Sequence, residues 1–234
     1  LYDYVREYKW EHGDKYVFIQ KKRLGLKKHI LKCGDLSLYF KAIVLFEDDI
    51  YVSPYFFNYV ERTIEKYQEN DEIAQISLYS NETNGYVGQP FVPLHNGSDV
   101  FLMQDVSTWG ECWTRKMWSS YRMWLKRNEN FEISLQDIPE PIKHWEKAWS
   151  KDFISYVVSN HKYIVFPYES LTTNFSDAGT HEMQSDNRVQ VNLLNGPRNY
   201  NLLPLNELVK YDIFFNNEYI YGWLGINKND LCLD

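Results

Sequence analysis

Three consecutive acidic residues are the first candidates for chemistry in this chain: Glu47, Asp48 and Asp49. An apolar run at residues 42–46 precedes them. It is too short for a helix of its own, so it predicts a strand buried on both faces, as in a parallel sheet. Adjacent carboxylates repel one another, and a cation that offsets their charge removes that cost. The triplet therefore favours a divalent metal at the carboxyl end of the strand; a solvated surface loop is the alternative interpretation.

The residues around the triplet predict the elements that would position it. Ser53 and Pro54 have the residue types of a helix N-cap and a first helical position. Residues 54–68 then carry apolar side chains on one helical face. A predicted helix at 26–38 and a predicted strand at 73–79 flank this unit, which favours parallel strands joined by right-handed crossovers. Open α/β sheets bind ligands at the carboxyl ends of such strands.

Apolar periodicity predicts the remaining elements. Helices are expected at residues 2–9, 113–126 and 142–158, and strands at residues 16–19, 100–103 and 163–166. Residues 81–99 are rich in Asn, Gly, Pro and Ser, which predicts a long loop. The chain after residue 184 has weak periodicity and predicts a C-terminal extension packed on the domain.

Five further residues are candidates for ligand contact. Trp109 precedes Gly110, a pair that indicates an aromatic ring where the backbone passes close to a ligand. Asp152 lies among aromatic residues of a predicted helix, and an unpaired carboxylate in an apolar setting suits a general base; an exposed acid is the alternative. Arg23 ends a basic cluster near the place where an anion would lie, and His181 ends a Gly-Thr-His loop suited to a phosphate or a metal. Both also fit exposed loop positions.

Composition limits the class of protein. The 234 residues are enough for one large domain with a full core. The net charge of −7 argues against a nucleic-acid-binding surface, and the 17% aromatic share fits a stiff core, an interface or platforms for sugar rings. Three widely spaced cysteines fit a reducing compartment. No apolar run approaches the ~20 residues that span a bilayer, so we expect a cytoplasmic protein without a transmembrane segment, with the inner face of the membrane as a second place of action.

In their order along the chain, these segments resemble the GT-A glycosyltransferases. The resemblance covers roughly residues 16–181. It rests on the acidic strand and its following helix, the strand at 76–79, the Trp-Gly segment at 107–118 and the block at 149–181. It is closest in kind to the branch that includes the protein O-mannose and N-glycan N-acetylglucosaminyltransferases and many bacterial polysaccharide enzymes. It implies an α/β fold with a Rossmann-like, mainly parallel sheet flanked by helices.

The resemblance also implies a metal site for Mn²⁺ or Mg²⁺. Asp49 would be the direct ligand, while Glu47 and Asp48 would touch the donor sugar or its ribose. The metal would bind both phosphates of a nucleotide-sugar, expected to be a UDP-sugar, and neutralise the leaving diphosphate. His181 matches the loop that closes near the diphosphate, where it would reach the metal.

The resemblance further assigns the pocket and the base. Trp109 and Gly110 would line the donor and acceptor pocket. Asp152 would deprotonate the acceptor hydroxyl of a glycan or glycolipid, which implies inverting transfer. Lys151 stands where the family has a second acid, a departure from the pattern.

Residues 1–183 are expected to form the transferase domain and residues 184–234 the extension. The family's first strand–helix–strand unit, at least ~30 residues long, is expected to be missing. A degenerate domain that binds carbohydrate or a protein partner is therefore the alternative to an active enzyme, and a metal-dependent phosphohydrolase is a third hypothesis. Self-association through the aromatic C-terminal region stays open.

Overall fold

The computed structural model describes residues 2–128, 137–146, 148–175 and 189–225. Its helices are α1 (Tyr2–Glu7), α2 (Leu26–Gly34), α3 (Phe56–Tyr67), α4 (Arg115–Arg127), α5 (Glu140–Lys143), α6 (Trp149–Ser159) and α7 (Glu218–Leu224). Its strands are β1 (Ala42–Leu45), β2 (Ile50–Val52), β3 (Ile73–Ser77), β4 (Thr83–Asn84), β5 (Gln89–Pro90), β6 (Val100–Met103), β7 (Glu111–Thr114), β8 (Tyr163–Pro167), β9 (Thr172–Asn174) and β10 (Lys210–Tyr211). Short 3₁₀ turns occupy Asp35–Leu38 and Leu205–Glu207.

A mixed six-stranded sheet forms the centre of the protein, in the order β1-β7-β3-β8-β6-β10. The β3–β8 and β6–β10 pairs are parallel. The β1–β7, β7–β3 and β8–β6 pairs are antiparallel. The α/β class is therefore confirmed, whereas the expectation of a mainly parallel sheet is wrong. The reason is that β7 lies between β1 and β3 and runs against both.

The strand that leads into the acidic triplet differs from its expected setting. Within the described residues β1 is an edge strand, and all four of its residues are only half-buried. Its neighbour β7 is antiparallel, with Ala42 opposite Thr114 and Leu45 opposite Glu111. The predicted burial on both faces of a parallel sheet is thus wrong for β1. It holds for β3 and β8, whose residues are all buried.

Several predicted helices begin or end elsewhere. Ser53 forms a turn instead of the N-cap, because its Oγ accepts from the Tyr55 N–H at 3.2 Å and α3 begins only at Phe56. Residues 111–114 are strand β7, so the helix predicted from residue 113 begins at Arg115, capped by the Thr114 hydroxyl. The helix predicted over 142–158 is two helices, α5 and α6. Residues 16–19 form no strand and are exposed.

The two faces of the sheet carry different layers. Side chains alternate along β7, and the Trp113 ring packs against Trp118 of α4 and Trp149 of α6. Helix α3 packs on β3, and its Tyr59 lies close enough to Cys112, the neighbour of Trp113, to interact with it electrostatically. Helices α4 and α6 therefore cover one face and α3 covers the other.

The C-terminal part of the chain joins this fold directly. Strand β10 pairs with β6, and Leu208, Val209 and Ile213 are buried in the same core. The boundary expected between residues 183 and 184 lies outside the described residues. No helix in the described ranges is long and apolar enough to cross a membrane.

Candidate functional site

The three acids form a turn between β1 and β2, which we call the acidic turn (Glu47, Asp48 and Asp49). The Ile50 N–H donates to the Glu47 carbonyl at 3.4 Å. Glu47 is half-buried, whereas Asp48 and Asp49 are exposed. Strand β2 then pairs antiparallel with β9, with Val52 opposite Thr172. Asp48 and Asp49 therefore face solvent, whereas Glu47 is partly covered by the protein.

Trp109 and Gly110 form a second turn, which leads into β7. The Trp109 ring lies against Tyr79 with ring centroids 4.8 Å apart. Gly110 has φ +102°, and a Cβ there would lie 2.8 Å from Cγ2 of Thr172. The Thr172 hydroxyl donates to the Trp109 carbonyl. Glycine is thus required at this position by the left-handed backbone and by the close approach of β9.

Backbone contacts bring the two turns to the same end of the sheet. The Leu78 N–H, just after β3, donates to the Gly110 carbonyl at 3.0 Å, and the Leu171 N–H donates to the Leu78 carbonyl at 2.7 Å. The Ser53 N–H, just after β2, donates to the Leu171 carbonyl at 2.8 Å. The carboxyl ends of β1 and β3, the start of β7 and the β2–β9 pair therefore meet in one place.

Glu111 lies in this place and was not predicted from the sequence. It is fully buried, and neither carboxylate oxygen has a hydrogen-bond partner within the described part of the chain. Burial raises the pKa of Glu111 well above its ordinary value, and repulsion from Glu47 adds to the rise. The signal available in the sequence was an acid directly after a Trp-Gly pair. Because a helix was predicted from residue 113, strand β7 was not expected, and Glu111 is the first residue of that strand.

Asp152 lies in the first turn of α6 and has a different setting from the one expected. Its carboxylate forms an ion pair with Lys27 of α2 at 2.5 Å, and its side chain is 31% exposed. The expectation of an unpaired acid in an apolar setting is therefore wrong. Its neighbours in α6, Trp149 and Phe153, contact the Trp113 ring. Helix α6 thus covers the sheet face to which Trp113 and, two positions earlier, Glu111 belong.

Arg23 and His181 are the other two predicted site residues. Arg23 is exposed in the segment before α2. His181 lies outside the described residues. Asp48 and Asp49 are both exposed in the turn.

The donor set supplies only part of the coordination shell of a divalent cation. Among the described residues, no three His, Cys, Asp or Glu side chains converge into a preformed metal site. Mg²⁺ and similar ions that bind with nucleotides use one or two carboxylates and complete their shell with phosphate oxygens and water. The acidic turn supplies hard oxygen ligands in that number, and the unpartnered carboxyl of Glu111 lies beside Glu47. The arrangement therefore suits an ion that arrives with an anionic substrate.

Comparisons with known proteins add no family to this geometry. No protein-family model matches the chain, and no curated protein matches it.

Proposed function

We propose that this protein is a metal-dependent glycosyltransferase of the GT-A kind, which transfers a sugar from a nucleotide-sugar to a glycan hydroxyl with inversion. The observation that supports the proposal is the meeting of the acidic turn with the Trp109–Gly110 turn at one end of one sheet, joined through Leu78 and Thr172. These two stretches are 60 residues apart in the chain, so local sequence constraints do not explain their proximity.

The acidic turn would hold Mn²⁺ or Mg²⁺, with Asp49 as a ligand and with Glu47 and Asp48 facing the donor. When bound, the ion supplies charge neutralisation for the leaving diphosphate. The exposure of Asp48 and Asp49 leaves their carboxylates accessible to an ion that enters with the donor. Glu47, closed in on the protein side, would orient the sugar by accepting hydrogen bonds from its hydroxyl groups.

Trp109 and Asp152 would act on the sugars themselves. The half-buried indole of Trp109 offers an apolar face to a pyranose ring, and its contact with Tyr79 fixes its orientation. Asp152 would accept the proton of the attacking acceptor hydroxyl. Its ion pair with Lys27 fixes the orientation of the carboxylate, as a general base requires. The donor nucleotide is proposed as a uridine diphosphate and the acceptor as a glycan or glycolipid.

The proposal is tested by the release of UDP from UDP-sugars in the presence of Mn²⁺. We expect Asp49→Asn to lower the rate at least about a hundredfold, because a metal ion supplies several kcal/mol of transition-state charge stabilisation. Glu61→Gln, which changes an exposed acid on α3, is the matched control and should keep the wild-type rate. Full activity in Asp49→Asn, or no UDP release by the wild-type protein with any UDP-sugar, would refute the proposal.

One observation favours a second candidate, a transferase domain that binds carbohydrate or a protein partner without catalysis. No three metal-binding side chains converge among the residues described. This candidate predicts glycan binding that survives EDTA and the Asp49→Asn change, measured on immobilised glycans. Loss of glycan binding with EDTA would exclude it and support the metal-dependent enzyme.

A further inference from the structure

We propose that Glu111 and Glu47 together form the inner, protein-side ligands of the divalent cation, so that the ion lies against this carboxyl pair and not against Asp49 alone. The proposal rests on the metal dependence in the proposed function and names a residue that the sequence did not indicate. It also shifts the site from the exposed tip of the acidic turn towards the sheet.

The strand register indicates that Glu47 and Glu111 share one face of the sheet. Glu111 is directly opposite Leu45 on the neighbouring antiparallel strand. Glu47 follows Leu45 by two positions, so continued alternation puts it on the face that Glu111 occupies. Diagonal neighbours of this kind are about 7–8 Å apart at the backbone, within reach of two long acidic side chains.

The surroundings of Glu111 leave its carboxyl group without compensation. Both oxygens are inaccessible to solvent and have no hydrogen-bond partner in the described ranges. Buried charges in proteins are paired or coordinate a metal, and a buried polar group without a partner requires a specific explanation. A sugar hydroxyl would satisfy one oxygen of the Glu111 carboxyl group and would leave the other without a partner. A divalent cation binds the carboxylate of Glu111 directly and offsets its charge.

The cation has a route to this pair. Glu47 is half-buried, directly precedes the solvent-exposed Asp48 and Asp49, and follows by two positions the residue opposite the buried Glu111. An ion first attracted by the exposed carboxylates therefore meets Glu47 next. Glu111 has three side-chain torsions, and a rotation that carries its carboxyl group towards Glu47 needs no change in the backbone of β7.

The experiment is a titration of the whole chain with Mn²⁺ alone, in which the free ion is followed by electron paramagnetic resonance. We expect Glu111→Gln to weaken Mn²⁺ binding at least about tenfold, the range seen when groups that support a metal are removed. Glutamine has the same shape and no charge, so the fold should persist; thermal unfolding without Mn²⁺ checks this. Glu111→Leu is the second variant and should show the same loss.

Gln75 provides the matched control. It is a buried side chain on β3 whose amide also has no hydrogen-bond partner among the described residues, and it carries no charge. Gln75→Leu should bind Mn²⁺ as the wild-type protein does. If Gln75→Leu weakens binding as much as Glu111→Gln, the effect comes from disturbed packing and the proposal is overturned.

The remaining outcomes separate this proposal from the proposed function. If Glu111→Gln binds Mn²⁺ with wild-type affinity while Asp49→Asn loses binding, the Glu111 ligand is wrong and the metal-dependent enzyme stands. If the wild-type protein binds no Mn²⁺ in the absence of donor, the carboxyl pair is wrong, and the UDP-release assay decides the metal-dependent enzyme separately. A tenfold or greater loss in Glu111→Gln, with Gln75→Leu unchanged, supports the carboxyl pair.

Discussion

Two buried carboxyl groups on different parts of the sheet show how differently the fold treats the same chemical group. Asp105 follows β6 and is 8% exposed, while Glu111 opens β7 and is 0% exposed. The Asp105 carboxylate accepts from the Asn81 amide at 3.1 Å and from the Tyr86 hydroxyl. Glu111 has no such partner within the described residues.

Burial raises the pKa of both groups, but hydrogen bonds oppose the rise only at Asp105. There, Tyr86, the Val106 backbone and Asn81 each act to lower the pKa again. At Glu111, repulsion from Glu47 adds to the effect of burial. Asp105 therefore ties the long 81–99 segment to the sheet, and its partners explain its position. Among the described residues no hydrogen-bond partner accounts for the burial of the Glu111 carboxyl group. We therefore include Glu111 in the candidate site.

Replacing Asp105 should have the largest effect on stability. Asp105→Ala leaves the Tyr86 hydroxyl and the Asn81 amide without their acceptor, and each such loss costs about 1–3 kcal/mol. We expect the free energy of unfolding to fall by about 3 kcal/mol, measured by urea denaturation. Asp71→Ala removes an exposed acid that pairs with Lys116 at 2.9 Å and should leave the free energy of unfolding nearly unchanged. Equal losses in the two variants would remove the distinction between a partnered buried acid and a surface one.

Replacing Glu111 should have a smaller effect of the opposite sign, and one that depends on pH. The folded-state pKa of Glu111 lies above its ordinary value of 4.5, so the folded protein binds the proton more tightly than the unfolded chain. The stability that this proton provides is present below pH 4.5 and is lost as the pH rises towards the folded-state pKa, with a limiting slope of about 1.4 kcal/mol per pH unit. Glu111→Gln lacks this loss, so we expect it to be more stable than wild type at pH 7 and similar to it at pH 4.

Urea denaturation of both proteins from pH 4 to pH 8 measures this difference. If the difference in free energy of unfolding between wild type and Glu111→Gln stayed constant from pH 4 to pH 8, Glu111 would be solvated or paired in solution. It would also weaken the contrast with Asp105.

The smallest effect is expected at the exposed ion pair. Lys27→Met removes the partner of Asp152, and since both side chains are partly exposed, the free energy of unfolding should change by less than about 1 kcal/mol. Under the proposed function, kcat should fall more than KM changes, because Lys27 orients the base and does not bind the donor. A loss of stability as large as that of Asp105→Ala would mean that the pair supports the fold.

The elements that were predicted well are those with a strong local pattern. Helix α3 is amphipathic over 12 residues and differs from its expectation mainly at its start. Strand β6 has the bounds predicted, and β8 extends its prediction by one residue. Strand β7 was missed because its apolar residues run without a break into α4 and continue a helical pattern. Strand β9 was missed because its residues are polar and its partner β2 lies about 120 positions earlier.

The sequence by itself determined the acidic triplet, the apolar strand before it and the Trp109–Gly110 pair, because each depends on residue types at short range. Only the tertiary structure decided that β7 separates β1 from β3, that Glu111 lies buried beside Glu47 and that Asp152 pairs with Lys27. These facts depend on contacts between residues 34 or more positions apart. Packing of the whole core selects such contacts, and they leave no periodic pattern in the sequence. The candidate site is therefore a product of long-range pairing, built from parts that the sequence shows only one at a time.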